Sequence, residues 1–166
     1  NAGCVDSIIQ QITIFELPNA AYTFSPLNIC NQQVTFDASG TTVGGLGTVT
    51  SYNWDFTGDG ATDLSDTNPI TNYTFPSPGS YSVTLIVIST GICHDTISQT
   101  IVVNPVPAIQ FNIPSESCNP QVLMDATGTT VAAPSTLTQP TWDFNGDGVA
   151  DANGLSTNHT FPGPGT

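Results

Sequence analysis

The chain has 166 residues and contains no lysine or arginine, and its 13 acidic residues give a formal net charge of −13. Binding to nucleic acid or to anionic membrane surfaces is excluded, because both require cationic side chains that neutralise phosphate charge. No apolar stretch is long enough to cross a bilayer, so direct membrane insertion is not expected.

The composition favours an all-β fold. Apolar residues make up 38% of the chain, which is enough for packed cores, and 15 glycines and 13 prolines punctuate it. Abundant threonine, valine and isoleucine favour strands, and no long segment places apolar residues at the helical period. Four cysteines in a loop-rich acidic chain point to an extracellular location, either on a cell surface or secreted.

Between residues 19 and 105, apolar patterns of period two alternate with turn signals, as in a β-sandwich. The predicted strand residues are, in chain order, Tyr22 and Phe24; Val34, Phe36 and Ala38; Tyr52, Trp54 and Phe56; Tyr73 and Phe75; Tyr81, Val83, Leu85 and Val87; and Ile97, Ile101 and Val103. Two prolines in the segment 104–107 predict a stiff, extended connection at the end of this region.

The sequence repeats itself with a period of about 87 residues, the size of one β-sandwich module. Residues 54–60 (WDFTGDG) return as 142–148 (WDFNGDG), and residues 72–79 return as 158–165. The register predicts the last strand of one module in residues 1–18, a complete module in 19–105 and the first part of another in 106–166. We therefore expect the chain to belong to a longer tandem array.

Three segments of the complete module resemble the polycystic kidney disease (PKD) domain family. They are residues 36–40 (FDASG), residues 52–56 (YNWDF) leading to Gly58-Asp59-Gly60, and residues 78–83 (PGSYSV). The resemblance covers nearly the whole chain, but Thr57, and Asn145 in the repeat, is inserted before the turn. It implies tandem immunoglobulin-like β-sandwich modules without catalytic machinery, of the kind found in extracellular arrays, adhesins and accessory parts of secreted hydrolases.

The inserted residue creates a pattern similar to a calcium-binding loop, D-x-[DNST]-x-D-G. Its oxygen-bearing residues in the complete module are Asp55, Thr57, Asp59, Asp63 and Asp66. The repeat supplies Asp143, Asn145, Asp147 and Asp151, with Gly154 where the last carboxylate would stand. Calcium prefers several oxygen ligands around a tight turn, so bound calcium is one interpretation. A solvated acidic turn is the other, since aspartate and glycine favour turns without any metal.

The cysteines predict a cross-link. Cys30 and Cys93 fall in the same complete module, and we expect them to form a disulfide; by the repeat, Cys4 and Cys118 would each need a partner outside the chain. A bond closing so long a loop would stabilise the module by about 4 kcal/mol in the chain-entropy treatment. A metal cluster is a weaker alternative because no cysteine spacing is short, and reduced buried thiols are a third.

Two matching tripeptides are candidate modification sites. Asp6-Ser7-Ile8 and Asp95-Thr96-Ile97 resemble sites at which some bacteria O-glycosylate exported proteins, which would place sugars on Ser7 and Thr96. The simpler interpretation is that a polar residue opens the last strand. Sequons for N-glycosylation begin at Asn72 and Asn158, but a strand pattern already explains both.

The pattern as a whole predicts a structural protein and not an enzyme. Repetition, prolyl connections and self-repelling charge favour a semi-rigid stalk, filament or adhesin spacer, with neighbouring modules, or copies of the chain in a fibre, as its partners. The alternative is an accessory polysaccharide- or protein-binding module of a secreted hydrolase, and a third possibility is calcium-dependent homotypic adhesion. The histidines, His94 and His159, occupy non-equivalent places in the repeat, which argues against a shared catalytic role.

Overall fold

The computed structural model of the chain describes residues 3, 6–27, 29–30, 32–114, 116–133 and 135–163. It divides into two compact units. The first takes most of the residues up to 102, and the second takes residues from 103 onward together with 29–32 and 76–79. Both units are built from β-strands, which confirms the all-β prediction.

Among the described residues, nine strands lie between residues 18 and 103. They are β1 Pro18–Asn19, β2 Thr23–Ser25, β3 Gln33–Asp37, β4 Thr42–Val43, β5 Val49–Asp55, β6 Leu64–Asp66, β7 Ile70–Thr74, β8 Gly79–Ser89 and β9 Cys93–Val103. A single 3-10 turn, Thr90–Ile92, joins β8 to β9. Strands of this length with short connections are typical of a sandwich module.

The strands form two main sheets of the immunoglobulin-like kind. One has the order β2-β3-β7 and the other the order β6-β5-β8-β9, while β1 and β4 form a separate pair. Phe36 stands opposite Phe24 on β2 and opposite Thr71 on β7, and Trp54 stands opposite Leu85 on β8. Because side chains alternate between the faces of a strand, these registers decide which residues point into the core.

Most of the predicted period-two residues form that core, while Phe24, Tyr73, Tyr81 and Ile97 are only partly buried. Val34 and Phe36 of β3, and Val83, Leu85 and Val87 of β8, have no exposed surface. Phe36 and Trp54 come from different sheets, and their ring centroids lie 5.4 Å apart. Burying such large aromatic side chains between two sheets supplies much of the hydrophobic stabilisation of a module this small.

Tyr22 connects the first segment of the module to the four-stranded sheet. Its buried hydroxyl donates a hydrogen bond of 2.8 Å to the carbonyl oxygen of Val83 on β8. Its ring packs edge-on against Trp54 at 5.1 Å between centroids. Burial raises the pKa of Tyr22 to about 12, so the hydroxyl keeps its proton and stays a donor throughout the neutral range.

The described part of the second unit has four strands: β10 Gln121–Asp125, β11 Thr141–Trp142, β12 Ala152–Asn153 and β13 Ser156–Thr160. The pairing of β10 with β13 places Val122 opposite His159, as Val34 lies opposite Tyr73 in the first unit. The pairing of β11 with β12 places Trp142 opposite Ala152, as Trp54 lies opposite Leu64. Residues that match in the sequence repeat therefore have matching strand partners.

Candidate functional site

The loop between β5 and β6 is organised by the carboxylate of Asp55. This side chain has an exposed fraction of only 9%. Its Oδ1 accepts hydrogen bonds from the backbone N–H groups of Gly58 at 2.6 Å and Thr57 at 3.2 Å, and its Oδ2 accepts one from Gly60 at 2.8 Å. The carboxylate thus satisfies backbone donors that a tight turn would otherwise leave unpaired.

Two further aspartates complete the loop. Asp59 Oδ1 accepts a hydrogen bond of 2.8 Å from the N–H of Ala61. Asp63 Oδ2 accepts one of 2.7 Å from the N–H of Phe56, while the N–H of Asp63 donates to the carbonyl oxygen of Trp54 at 2.7 Å. The loop is therefore closed at its base by Asp63 and spanned in its middle by Asp55.

These hydrogen bonds control the ionisation of Asp55. Desolvation by partial burial raises its pKa, but the hydrogen bonds from Gly58, Gly60 and Thr57 together outweigh this and hold the pKa below its usual value of 3.8. The equivalent Asp143 also has a lowered pKa, with the hydrogen bond from Gly148 as the largest cause. Both carboxylates are consequently ionised at neutral pH.

The loop recurs in the second unit with the same contacts. Asp143 accepts hydrogen bonds from Gly146 at 2.7 Å and Gly148 at 2.8 Å, and Asp151 accepts one from Phe144 at 2.7 Å. The inserted Asn145 adds a bond of 3.1 Å from its Nδ2 to Asp147. Two sequences that differ at several positions fold into one loop geometry because the aspartates and glycines that form it are the same.

The predicted calcium ligands do not all belong to one loop. Asp66 accepts hydrogen bonds from the N–H groups of Thr67 and Asn68, and so belongs to the following turn. Among the described residues, no group of three or more His, Cys, Asp or Glu side chains is arranged to hold a metal ion. The aspartates accept hydrogen bonds from the backbone, and calcium binding stays a prediction from the spacing alone.

The predicted disulfide between Cys30 and Cys93 is absent, and both thiols are free. Cys93 is the first residue of β9, whereas Cys30 follows Ile29, which pairs with Val103 at the last residue of the same strand. Ten residue steps along an extended strand span about 33 Å, and a disulfide requires Cα atoms within about 7 Å. Two cysteines that belong to one module are therefore not necessarily close in space. Cys118 is also a free, exposed thiol, and Cys4 lies outside the described residues.

The candidate glycosylation residues, Ser7 and Thr96, are both exposed, Thr96 on the outward face of β9. The aspartate before Thr96 has a structural role that the sequence did not reveal, since Asp95 Oδ2 accepts a hydrogen bond of 2.8 Å from the N–H of Ala20. The Asp-Ser/Thr pattern, which occurs at residues 6–7 and again at 95–96, is the sequence feature that could have indicated this contact. Modification of Ser7 and Thr96 stays a prediction.

The two histidines have different surroundings. His94 is exposed on β9, and the ring of His159 stacks on Phe144 with centroids 4.0 Å apart.

No helix among the described residues is long and apolar enough to span a membrane. These features define the class of protein: an immunoglobulin-like β-sandwich in which every acidic loop residue has a structural partner or faces solvent.

A PKD domain profile matches residues 16–104, more than half of the chain, and the chain belongs to the PKD domain family. PKD domains are non-catalytic modules that occur in extracellular or secreted proteins. The match covers one domain, which ends close to the end of the first unit.

Several solved structures resemble the chain. One is of carbohydrate-binding modules of the β-sandwich superfamily with promiscuous specificity, at 30% identity and a TM-score of 0.51, covering 67% of this chain and 44% of that one. The PKD1 domain of Vibrio anguillarum Epp shares 22% identity, with a TM-score of 0.46, over 56% of this chain and all of that domain. The PKD1 domain of the Vibrio cholerae metalloprotease PrtV shares 31% identity, with a TM-score of 0.41, over 52% and 96%. No curated protein sequence matches the chain.

Proposed function

We propose that this chain is part of a tandem array of PKD modules that acts as a semi-rigid stalk, filament or spacer of an extracellular surface protein. The observation that carries the proposal is the path of the chain through the complete module. Ala20 contacts Asp95 near the start of β9, the carbonyl oxygen of Tyr22 accepts a hydrogen bond of 2.9 Å from Gln99, and Ile29 pairs in parallel with Val103 at its end.

The first segment thus follows β9 in the same direction, from one end of the strand to the other. The polypeptide therefore reaches the module at the upstream end of β9, beside Cys93, and leaves it at the downstream end, beside Val103. A module with its two connections at opposite ends adds length to an array with each copy. This is the geometry that a stalk or spacer requires.

The connection at the upstream end is packed against the module, which supports stiffness. The ring of Phe15 covers Gly91 so closely that a Cβ added there would lie 2.5 Å from Phe15 Cδ2. The carboxylate of Glu16 lies against Gly44 in the same way. A linker held by side-chain contacts bends less freely than one surrounded by solvent.

The matching loops and strand registers of the second unit support the tandem part of the proposal. Net charge supports an extended form, since modules that carry only acidic side chains repel one another. Partners in this reading are neighbouring modules of the same polypeptide and, in a fibre, copies of it.

The test is the mass and shape of the native polypeptide. We expect an intact mass many times the 17.3 kDa of this chain, peptides from an Asp- or Glu-directed protease that derive mostly from such modules, and slender particles in negative-stain electron microscopy. Peptides from a hydrolase domain in the same polypeptide, with compact particles, would contradict the proposal.

An accessory binding role is the second candidate, and the carbohydrate-binding neighbour at 30% identity is the observation that favours it. Sugar sites are commonly lined by accessible aromatic rings, but none of the aromatic side chains described between residues 15 and 105 is exposed. Pull-down of the chain on insoluble polysaccharides decides between the candidates. Saturable binding would support the accessory role, and a stalk module would stay in solution.

A further inference from the structure

The two thiols of the complete module lie at its opposite ends. Cys93 opens β9 and is partly exposed, next to the turn that Phe15 covers. Cys30 is exposed and follows Ile29, whose carbonyl oxygen accepts a hydrogen bond of 2.7 Å from Asn104 at the point where the chain leaves the module. One thiol therefore marks the upstream end and the other the downstream end.

The same separation prevents the two thiols from bonding to each other. The full length of β9, about 33 Å, lies between them, and its core residues Ile101 and Val103 are fully buried. No local adjustment closes that distance without dismantling the sheet. Any disulfide made by Cys30 or Cys93 must therefore involve a cysteine of another module.

We propose that Cys30 of one module and the Cys93-type cysteine of another form a disulfide, so that modules are cross-linked downstream end to upstream end. This inference depends on the proposed stalk, since stacking modules end to end brings a thiol of each kind to every junction. The sequence repeat supports it, because Cys4 matches Cys93 and Cys118 matches Cys30, so each cysteine type recurs at the same place in its module.

The chemistry is thiol–disulfide exchange with an oxidising disulfide, of the glutathione or thiol oxidoreductase class. One protein thiolate attacks the oxidant disulfide, forms a mixed disulfide and expels one thiolate. The second protein thiolate then attacks the protein sulfur of the mixed disulfide, forms the protein disulfide and expels the other thiolate. Two thiols lose two protons and two electrons, and the oxidant is reduced to two thiols. Extracellular conditions favour the oxidised product.

The experiment uses the 166-residue chain with Cys4→Ser and Cys118→Ser, so that only Cys30 and Cys93 react. In a buffer of oxidised and reduced glutathione, we expect a ladder of covalent oligomers on a non-reducing gel. Adding Cys30→Ser or Cys93→Ser should abolish the ladder. An equimolar mixture of these two variants should give a dimer and nothing larger, because one bond then forms between complementary ends.

Two results would overturn the proposal. One is a monomer in which peptide mapping finds Cys30 joined to Cys93; the other is the failure of the mixed variants to form more dimer than either variant alone. In the native polypeptide, unreduced peptide maps should pair a Cys30-type with a Cys93-type peptide. Where such peptides are paired, a gel mass that falls on reduction indicates bonds between polypeptides, and an unchanged mass indicates bonds within one.

A stability measurement separates this proposal from the stalk itself. Because no bond closes a loop inside the module, reduction should leave the urea midpoint of the chain unchanged, whereas reduction of an internal bond would lower it. A long repetitive polypeptide whose cysteines are alkylated without prior reduction would retain the stalk and reject the cross-link. A short polypeptide with a hydrolase domain would reject the stalk, while the mixed-variant result would still report on the thiols.

Discussion

At the scale of single residues, Asp55 is the group on which the β5–β6 loop depends most. Its two oxygens accept three backbone hydrogen bonds, and its exposed fraction is only 9%. An amide in its place keeps one acceptor oxygen but turns an NH₂ group toward backbone donors. A charge-assisted set of bonds to a largely buried carboxylate is worth more than the exposed contact made by Asp59.

We predict that Asp55→Asn lowers the free energy of unfolding by about 1–2 kcal/mol at pH 7, since a buried charged acceptor is lost. Asp59→Asn is the matched control and should change it by less than about 0.5 kcal/mol. Urea unfolding followed by tryptophan fluorescence measures both, in a Trp142→Phe background so that Trp54 alone reports. Equal effects of the two substitutions would contradict the role given to Asp55.

The same pair of proteins predicts a pH dependence. The folded pKa of Asp55 lies below 3.8, so its stabilisation is fully present above that value and is lost as pH falls through the lower folded pKa. The difference in unfolding free energy between the Asp55 protein and Asp55→Asn should therefore shrink below about pH 4. Because both proteins share all the other carboxylates, taking the difference in unfolding free energy cancels the effect of protonating them. A gap that stays constant down to pH 2 would count against this assignment.

Trp54 presents the opposite case, a buried polar group with no partner. Its side chain is fully buried, and no described residue accepts a hydrogen bond from its Nε1, whereas Trp142 Nε1 donates to Gly154 at 2.8 Å. We expect Trp54→Ala to cost about 3–5 kcal/mol through the cavity it leaves. Trp54→Phe should cost about 1 kcal/mol or less, because loss of an unpaired N–H offsets part of the lost packing. Urea unfolding followed by circular dichroism compares the two variants. Equal costs would show that the unpaired N–H of Trp54 does not destabilise the protein.

At the scale of elements, the β5–β6 loop depends on backbone conformations that glycine adopts most easily. Gly58 and Gly60 have φ angles of +76° and +87°. A Cβ on Gly58 would lie 3.0 Å from the carbonyl oxygen of Ser82 on β8, while one on Gly60 would meet open space. A substitution at Gly60 therefore introduces backbone strain alone, whereas one at Gly58 introduces backbone strain together with a steric conflict with β8.

We predict that Gly60→Ala destabilises the chain by about 1 kcal/mol, the usual penalty for a left-handed conformation. Gly58→Ala should cost at least twice as much, because β8 must also shift to accommodate the new methyl group. Thermal unfolding followed by circular dichroism ranks the two variants. A reversed order would mean that the loop relaxes away from Ser82.

At the scale of the whole molecule, the main feature is a negative charge that no lysine or arginine compensates. With a net charge of −13 and no lysine or arginine, the chain has no side-chain cation except a protonated histidine to offset its carboxylates. Stability must come from the buried core and from hydrogen bonds to backbone. Added salt screens the repulsion, and at physiological ionic strength the screening length is only about 8 Å.

We therefore expect the melting temperature to rise as sodium chloride is added from very low ionic strength. At matched ionic strength, calcium and magnesium should give equal increases, because the loop aspartates are already held by backbone donors. Differential scanning fluorimetry measures all three salts. A saturable calcium effect that Asp55→Asn removes would establish the calcium site that the residue spacing predicted.

The sequence alone determined the all-β class, the core and the loop. Alternating apolar residues fix which faces of β3, β5 and β8 are buried, because the side-chain period of a strand is two. The spacing of aspartate and glycine also fixed a turn that recurs with the same hydrogen bonds in the second unit. These features depend on neighbours within a few residues, which sequence patterns record directly.

Only the tertiary structure decided the roles that depend on distant residues. Cys30 and Cys93 belong to one repeat yet lie at opposite ends of β9, and Asp95 holds Ala20 across 75 positions of sequence. Distance in the folded chain is set by strand direction and sheet order, which no local pattern contains, so strand pairings and the separation of the cysteines could be assigned only after the strands were in place.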